Sequence, residues 1–242
     1  MKIVILLIAT IVHELGHVIG AKLVGIRIKE VGIGFGPTIF KFTQKNVTYK
    51  VSWIILGGYV IPEKHGEDFY EYSTTSRVIL IASGLIMSIL VLPLLCIFII
   101  HVIQGNLSNI FIDLEKMLNP FYSHPLQYVY HGIESFPTLI YSNNFLSGLA
   151  CLAEISFFLG IINAIPIPPL DGGSLLLEII EKVYPNVRIN QTKWISIGYL
   201  ILFLCISMPI LIVLVQRIKE TFPIFIIGTF LVFYIVKRWR VL

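Results

Sequence analysis

The chain has 242 residues, 56% of them hydrophobic and 13% charged, with a mean hydropathy of +0.86. Those values exclude a soluble domain built around one large core and describe an integral membrane protein. The net charge of +4 comes from scattered basic residues, which fits membrane topology and excludes a nucleic-acid partner.

The first apolar run, residues 3–24, is long enough to cross a bilayer and contains His13-Glu14-Leu15-Gly16-His17. Residues four apart share a helix face, so His13 and His17 can present ring nitrogens to one metal ion. Glu14 lies beside them, within reach of a metal-bound water; the pattern is HExxH. Ionisable side chains are costly at membrane depth, so a functional reading is the default. The bland alternative is a pair of histidines packed against other helices. The run has no convincing small-residue cleavage site, so it reads as a span and not a signal peptide.

Residues 28–62 follow a different pattern. Ile28, Val31, Ile33, Phe35, Ile39, Phe40 and Phe42, then Val47, Tyr49, Val51, Trp53 and Ile55, are β-prone and partly alternating. Glycines punctuate them, and Gln44-Lys45-Asn46 is a hairpin turn signal, so the stretch predicts a short β-ribbon. A second span covers roughly 77–102. Residues 104–147 are mixed, with Pro120, Pro125 and Pro137, and predict an extracytoplasmic, partly interfacial segment. A third span covers 145–164, a short amphipathic helix 173–183 and a fourth span 195–215. Residues 222–236 form a short fifth apolar segment, with Trp239 and the basic Lys237, Arg238 and Arg240 as anchors. Cys96, Cys151 and Cys205 suggest neither a disulfide framework nor a zinc site, and without repeats or long linkers residues 1–242 read as one domain.

Orientation follows from basic residues. Residues 22–77 hold eight Lys or Arg, residues 104–147 only Lys116, and residues 166–193 three. The ribbon and the segment after Pro166 are therefore expected on the cytoplasmic side, with the N-terminus outside.

The stretch Asn163-Ala164-Ile165-Pro166-Ile167-Pro168-Pro169-Leu170-Asp171-Gly172-Gly173 resists helix. Unwound backbone at membrane depth is tolerated only where it lines a protein cavity or water. Asp171 at its tip is placed either to ligate metal beside the histidines or to cap the helix that follows, and both roles can coexist.

Together the two motifs resemble the site-2 protease family of intramembrane zinc metalloproteases. The Gly34-Phe35-Gly36-Pro37 and Leu56-Gly57-Gly58-Tyr59-Val60 stretches are similar to the membrane-associated ribbon of its bacterial RseP-like branch. Ser83-Gly84-Leu85-Ile86-Met87-Ser88 resembles the family's second-helix Gly-x-x-x-Asn/Ser/Gly motif. Residues 104–147 are too short for the PDZ module of RseP-like members, and the regulatory (CBS) module of SpoIVFB-like members is absent too. The resemblance implies a three-helix metalloprotease core, here with one or two further C-terminal spans, in a polytopic α-helical membrane protein. It implies one zinc ion per chain held by His13, His17 and Asp171, with Glu14 shuttling protons and Asn163 supporting the oxyanion. It also implies transmembrane segments of membrane proteins, or signal peptides, as substrates, cut near the cytoplasmic face of a bacterial plasma membrane. Two other classes stay open: a zinc-binding or transport protein without hydrolysis, and an inactive scaffold for transmembrane helices. Glu154, mid-way along the third span, receives no catalytic role. His65, His101, His124 and His131 lack ligand spacing and are expected at surfaces or interfaces.

Overall fold

The computed structural model describes residues 2–125 and 143–184, with single positions at 139, 141, 194, 196–198, 200 and 201. Helix α1 (Lys2–Leu23) is followed by strands β1 (Ile28–Gln44) and β2 (Val47–Pro62) and a 3-10 turn, Gly66–Glu71. Next come α2 (Thr74–Ile86), a π-helical turn Met87–Val91 and α3 (Leu92–Gln104), which run on as one continuous helical stretch. Helix α4 (Ile110–Ser123), α5 (Asn144–Asn163) and α6 (Asp171–Val183) complete the described part of the first compact unit, 1–192. The second unit, 193–242, is described only at a few helical positions, so the expected span 222–236 and all but five residues of 195–215 lie outside the described residues.

Among the described residues, three helical stretches are long and apolar enough to cross a membrane: Lys2–Leu23, Thr74–Gln104 and Asn144–Asn163. Their limits lie close to the expected spans. Helix α1 buries Ile5, Ala9, Thr10, His13, Glu14, His17 and Gly20, a period of three to four that turns one face inward. Ile8, Ile11, Leu15 and Ile19 stay exposed on the other side, as a lipid-facing stripe should. The inward face packs on α2 and α5, and α3 packs on α5, around Ala9, Ile97, Ile100, Ala150, Ala153 and Ile155. The ionisable motif of α1 is therefore on the buried face, where each polar atom needs a partner.

The ribbon forms as expected. Lys45 and Asn46 take positive φ of 48° and 65°, the mirror-image two-residue turn that suits strand twist. The strands are antiparallel, but the pairing is more folded than a simple hairpin. Beyond the tip, Gln44 to Phe40 pair with Val47 to Val51. Residues 30–33 then find partners on both sides, Ile61 to Gly58 on one and Thr48 to Val51 on the other. The strands thus curl so that Val51 is doubly paired, with Ile33 and with Phe40.

The amphipathic helix begins two residues earlier than the sequence pattern places it. Asp171 is its first residue, and Leu170, with no side-chain cap bond, is the N-cap. The capping role considered for Asp171 is therefore not the one it takes. His101 is another correction: it is buried, because α4 folds back over the end of α3 and sets Asp113 against its ring, with Nε2 3.3 Å from Asp113 Oδ2. His65 and His124 are exposed as expected, and His131 lies outside the described residues.

Candidate metal centre

His13 and His17 lie one turn apart on the inward face of α1, with ring centroids 4.9 Å apart and planes nearly perpendicular. Each ring is aimed by α2 or by the π-turn after it. His17 Nδ1 lies 2.9 Å from the Leu80 carbonyl oxygen. A carbonyl only accepts, so Nδ1 carries the proton and Nε2 presents its lone pair. His13 Nδ1 lies 2.9 Å from Ser88 Oγ, on the π-turn, whose extra residue per turn re-aims that side chain. Ser156 of α5 donates to the Ser88 carbonyl at 3.0 Å and fixes the turn from behind.

The third group comes from the start of α6. Asp171 Oδ2 stands 3.2 Å from His13 Nε2 and 3.4 Å from His17 Nε2, and the two Nε2 atoms are 3.3 Å apart. An ionised Asp171 carboxylate is only an acceptor. With His13, like His17, protonated on Nδ1, three acceptor atoms meet at separations where they repel one another unless a cation lies among them. The edges of a tetrahedron with bonds of about 2.0–2.1 Å, the zinc–nitrogen length, are about 3.3 Å. Asp171 Oδ2 and Glu14 Oε2 are both buried without a hydrogen-bond partner. The residues thus fit a zinc ion with one position left for water.

Glu14 is 4% exposed and points at the ribbon. A β-carbon built on Gly58 would lie 2.6 Å from Glu14 Cγ, so only glycine lets the strand come this close. The same holds at Gly84 of α2, where a β-carbon would stand 2.3 Å from His17 Nε2. Sequence reasoning placed both glycines in motifs without seeing what they make room for. Asn163 is half-buried at the last position of α5, ahead of the non-helical 164–170 stretch, and is not among the converging atoms. Glu154 is fully buried and accepts the Leu139 amide at 2.9 Å.

A HExxH helix of membrane-crossing length, completed by an acidic residue from a separate helix, defines a membrane metallopeptidase fold. The chain belongs to peptidase family M50, whose family model matches residues 1–205. It is similar to the zinc metalloprotease RasP of Oceanobacillus iheyensis, 49% identical over 49 residues, covering 20% of this chain and 12% of the relative. It is also similar to the RasP of Geobacillus kaustophilus, 45% identical over 56 residues, covering 23% of this chain and 13% of the relative. The membrane metalloprotease ARASP of Arabidopsis thaliana chloroplasts is 33% identical over 98 residues, covering 36% of this chain and 22% of the relative. The matched stretches thus span less than a quarter of these relatives' own lengths, 12%, 13% and 22%. Family and apolar helices together make the chain an integral membrane protein.

Proposed function

We propose that the chain is an intramembrane zinc endopeptidase that hydrolyses peptide bonds in or near transmembrane segments, in regulated proteolysis or in clearing signal peptides. The observation that carries this reading is the convergence of three acceptor atoms beside a buried, unpartnered Glu14 on a membrane-length helix. His13, His17 and Asp171 would hold the ion. Zinc bound there supplies a Lewis acid that acidifies a coordinated water and polarises the scissile carbonyl.

The remaining work falls to the chain's own side chains. Glu14 takes a proton from the attacking water and returns it to the leaving amine. Asn163 donates to the oxygen on which charge develops. A helical peptide bond is shielded by its own hydrogen bonds, so the substrate must unwind, and its freed backbone groups need partners. The ribbon supports a route for this. Residues 58–61 pair with β1 on one side, their other edge carries no strand partner among the described residues, and Gly58 lies against Glu14. A substrate strand added to that edge would lie beside the proton carrier without requiring a fixed side-chain sequence. Val51 is interior to the pairing, so a proline test belongs at 59 or 60.

The eight-to-one contrast in basic residues between 22–77 and 104–147 supports a cytoplasmic ribbon, an outside N-terminus and cleavage near the inner face, in a bacterial plasma membrane. The test is Glu14→Gln, assayed in membranes with a transmembrane reporter. Zinc content and membrane insertion should equal those of the parent, and cleavage should fall at least about 100-fold, the lower range for a lost acid–base group. Parental cleavage by this variant would remove the hydrolytic reading and leave a zinc-binding membrane protein.

A further inference from the structure

Away from the ligands, α6 makes one contact of unusual completeness. Arg77 of α2 and Glu178 of α6 are 5% and 1% exposed. The Arg77 Nε donates to both carboxylate oxygens at 2.9 Å, and Nη2 stands 2.7 Å from Oε2. Its Nη1 donates to the Tyr72 carbonyl at 2.9 Å and the Tyr70 carbonyl at 3.3 Å. The Tyr70 ring lies 4.8 Å from the guanidinium carbon, and its hydroxyl donates to Glu181 at 3.3 Å.

A buried ion pair is a weak source of net stability, because desolvation offsets most of the attraction. What it does well is fix geometry. Glu178 follows Asp171 by seven residues, two turns or about 10.5 Å along the same face of α6. Arg77, Leu80 and Gly84 are the buried residues of α2, spaced on one face. Leu80 supplies the carbonyl that orients His17, and Gly84 is where the His17 ring rests. One face of α2 therefore sets both His17 and the helix that carries the acid. The close approach of Gly172 to Ala164 and of Gly173 to Pro168 fixes where α6 starts. An anchor two turns further along fixes the direction in which it runs.

We propose that the Arg77–Glu178 pair positions the metal centre: it locks α6 to the face of α2 that orients His17, and so sets where Asp171 stands relative to His13 and His17. This rests on the reading of Asp171 as the third ligand. Both are positioning residues, since neither touches the ion or the substrate.

The experiment is a double-mutant cycle on the full chain in detergent or nanodiscs, with zinc affinity measured by competition against a chromophoric chelator. Glu178→Gln should weaken zinc binding by up to about 10-fold, below the 10–100-fold of partners that hydrogen-bond a ligand directly. In an Asp171→Ala background the same change should do nothing more, because its effect passes through Asp171. An equal loss in both backgrounds, or none in either, overturns the proposal. Leu177→Ala, which loosens the buried face of α6 without touching the pair, should keep parental affinity; a loss matching that of Glu178→Gln would also overturn it. If Glu178→Gln does not accumulate, Arg77→Lys takes its place in the cycle. It keeps the charge but loses the fork, and should give a smaller loss that again vanishes without Asp171; parental affinity in Arg77→Lys then overturns the proposal. Unchanged affinity in Asp171→Ala alone would instead sink the ligand reading.

Discussion

Among the described residues two histidine–carboxylate clusters are buried, and the difference between them separates a metal site from a structural one. At the end of α3, His101 Nδ1 donates to the Asn106 carbonyl at 2.8 Å, and Nε2 faces Asp113 Oδ2 at 3.3 Å. Asp113 also receives the Tyr141 hydroxyl and Lys116. The carboxylate there is served from several sides, although His101 Nε2 itself is buried without a hydrogen-bond partner. On α1, His17 has the same first contacts, a carbonyl on Nδ1 and a carboxylate oxygen near Nε2. What differs is the second imidazole. His13 brings another Nε2 to within 3.3 Å of the first, and both point at one oxygen of Asp171. No lysine or tyrosine donor joins that group among the described residues. A histidine facing a carboxylate is thus no sign of a metal; two lone pairs and an anion converging on one point are.

Four experiments press on that contrast. The largest effect is expected from Asp171→Ala, which should lower zinc affinity more than roughly 100-fold, beyond the range of partners one step removed. Asp113→Ala should leave zinc content unchanged. Metal analysis of both at controlled free zinc checks the pair, and a zinc loss in the Asp113 variant would merge the two clusters into one class. Next comes Gly84→Ala, whose methyl group has no space beside His17. Zinc affinity should fall by roughly 10–100-fold while the protein still inserts, because the ring and not the fold is displaced. Parental affinity would mean that His17 has another orientation.

At the other cluster, Asp113→Asn should cost about 1–3 kcal/mol of stability, the penalty for a buried group whose partners no longer match. A thermal unfolding series checks this, with zinc binding as the control that should not move. The smallest effect belongs to the ribbon. Glu30 accepts from Tyr59 at 2.7 Å and pairs with Lys50 at 2.7 Å. Burial would raise its carboxyl, but Lys50 and Tyr59 together hold it below the ordinary 4.5. A depressed carboxyl stabilises the folded ribbon above pH 4.5, and that contribution is lost as pH falls through its lowered value. The protection of ribbon amides, relative to their intrinsic exchange at each pH, should therefore fall at low pH in the parent and show less dependence in Glu30→Gln, a difference of about 1 kcal/mol or less. A steep pH dependence that survives in the variant would assign it elsewhere.

Local patterns were legible in the sequence because their physics is local. The i, i+4 spacing of His13 and His17 puts two rings on one turn of any helix that forms, and the apolar run around them ensures that one forms. Alternation and the Lys45-Asn46 turn located both strands to within a residue or two. The proline-rich stretch before Asp171 announced unwound backbone, and so a position from which an acid can reach across to another helix. What the sequence did not carry is any contact whose partners are far apart in the chain. Ser88 meets His13 across 75 positions, Leu80 meets His17 across 63, and Arg77 meets Glu178 across 101. None of these has a spacing rule, because each depends on how α2 and α6 are set against α1 and against each other. The burial of His101 and the double pairing of Val51 were hidden for the same reason. The sequence by itself determined which atoms can bind a metal; packing of helices separated by long connections decided which of them face one another and what holds them there.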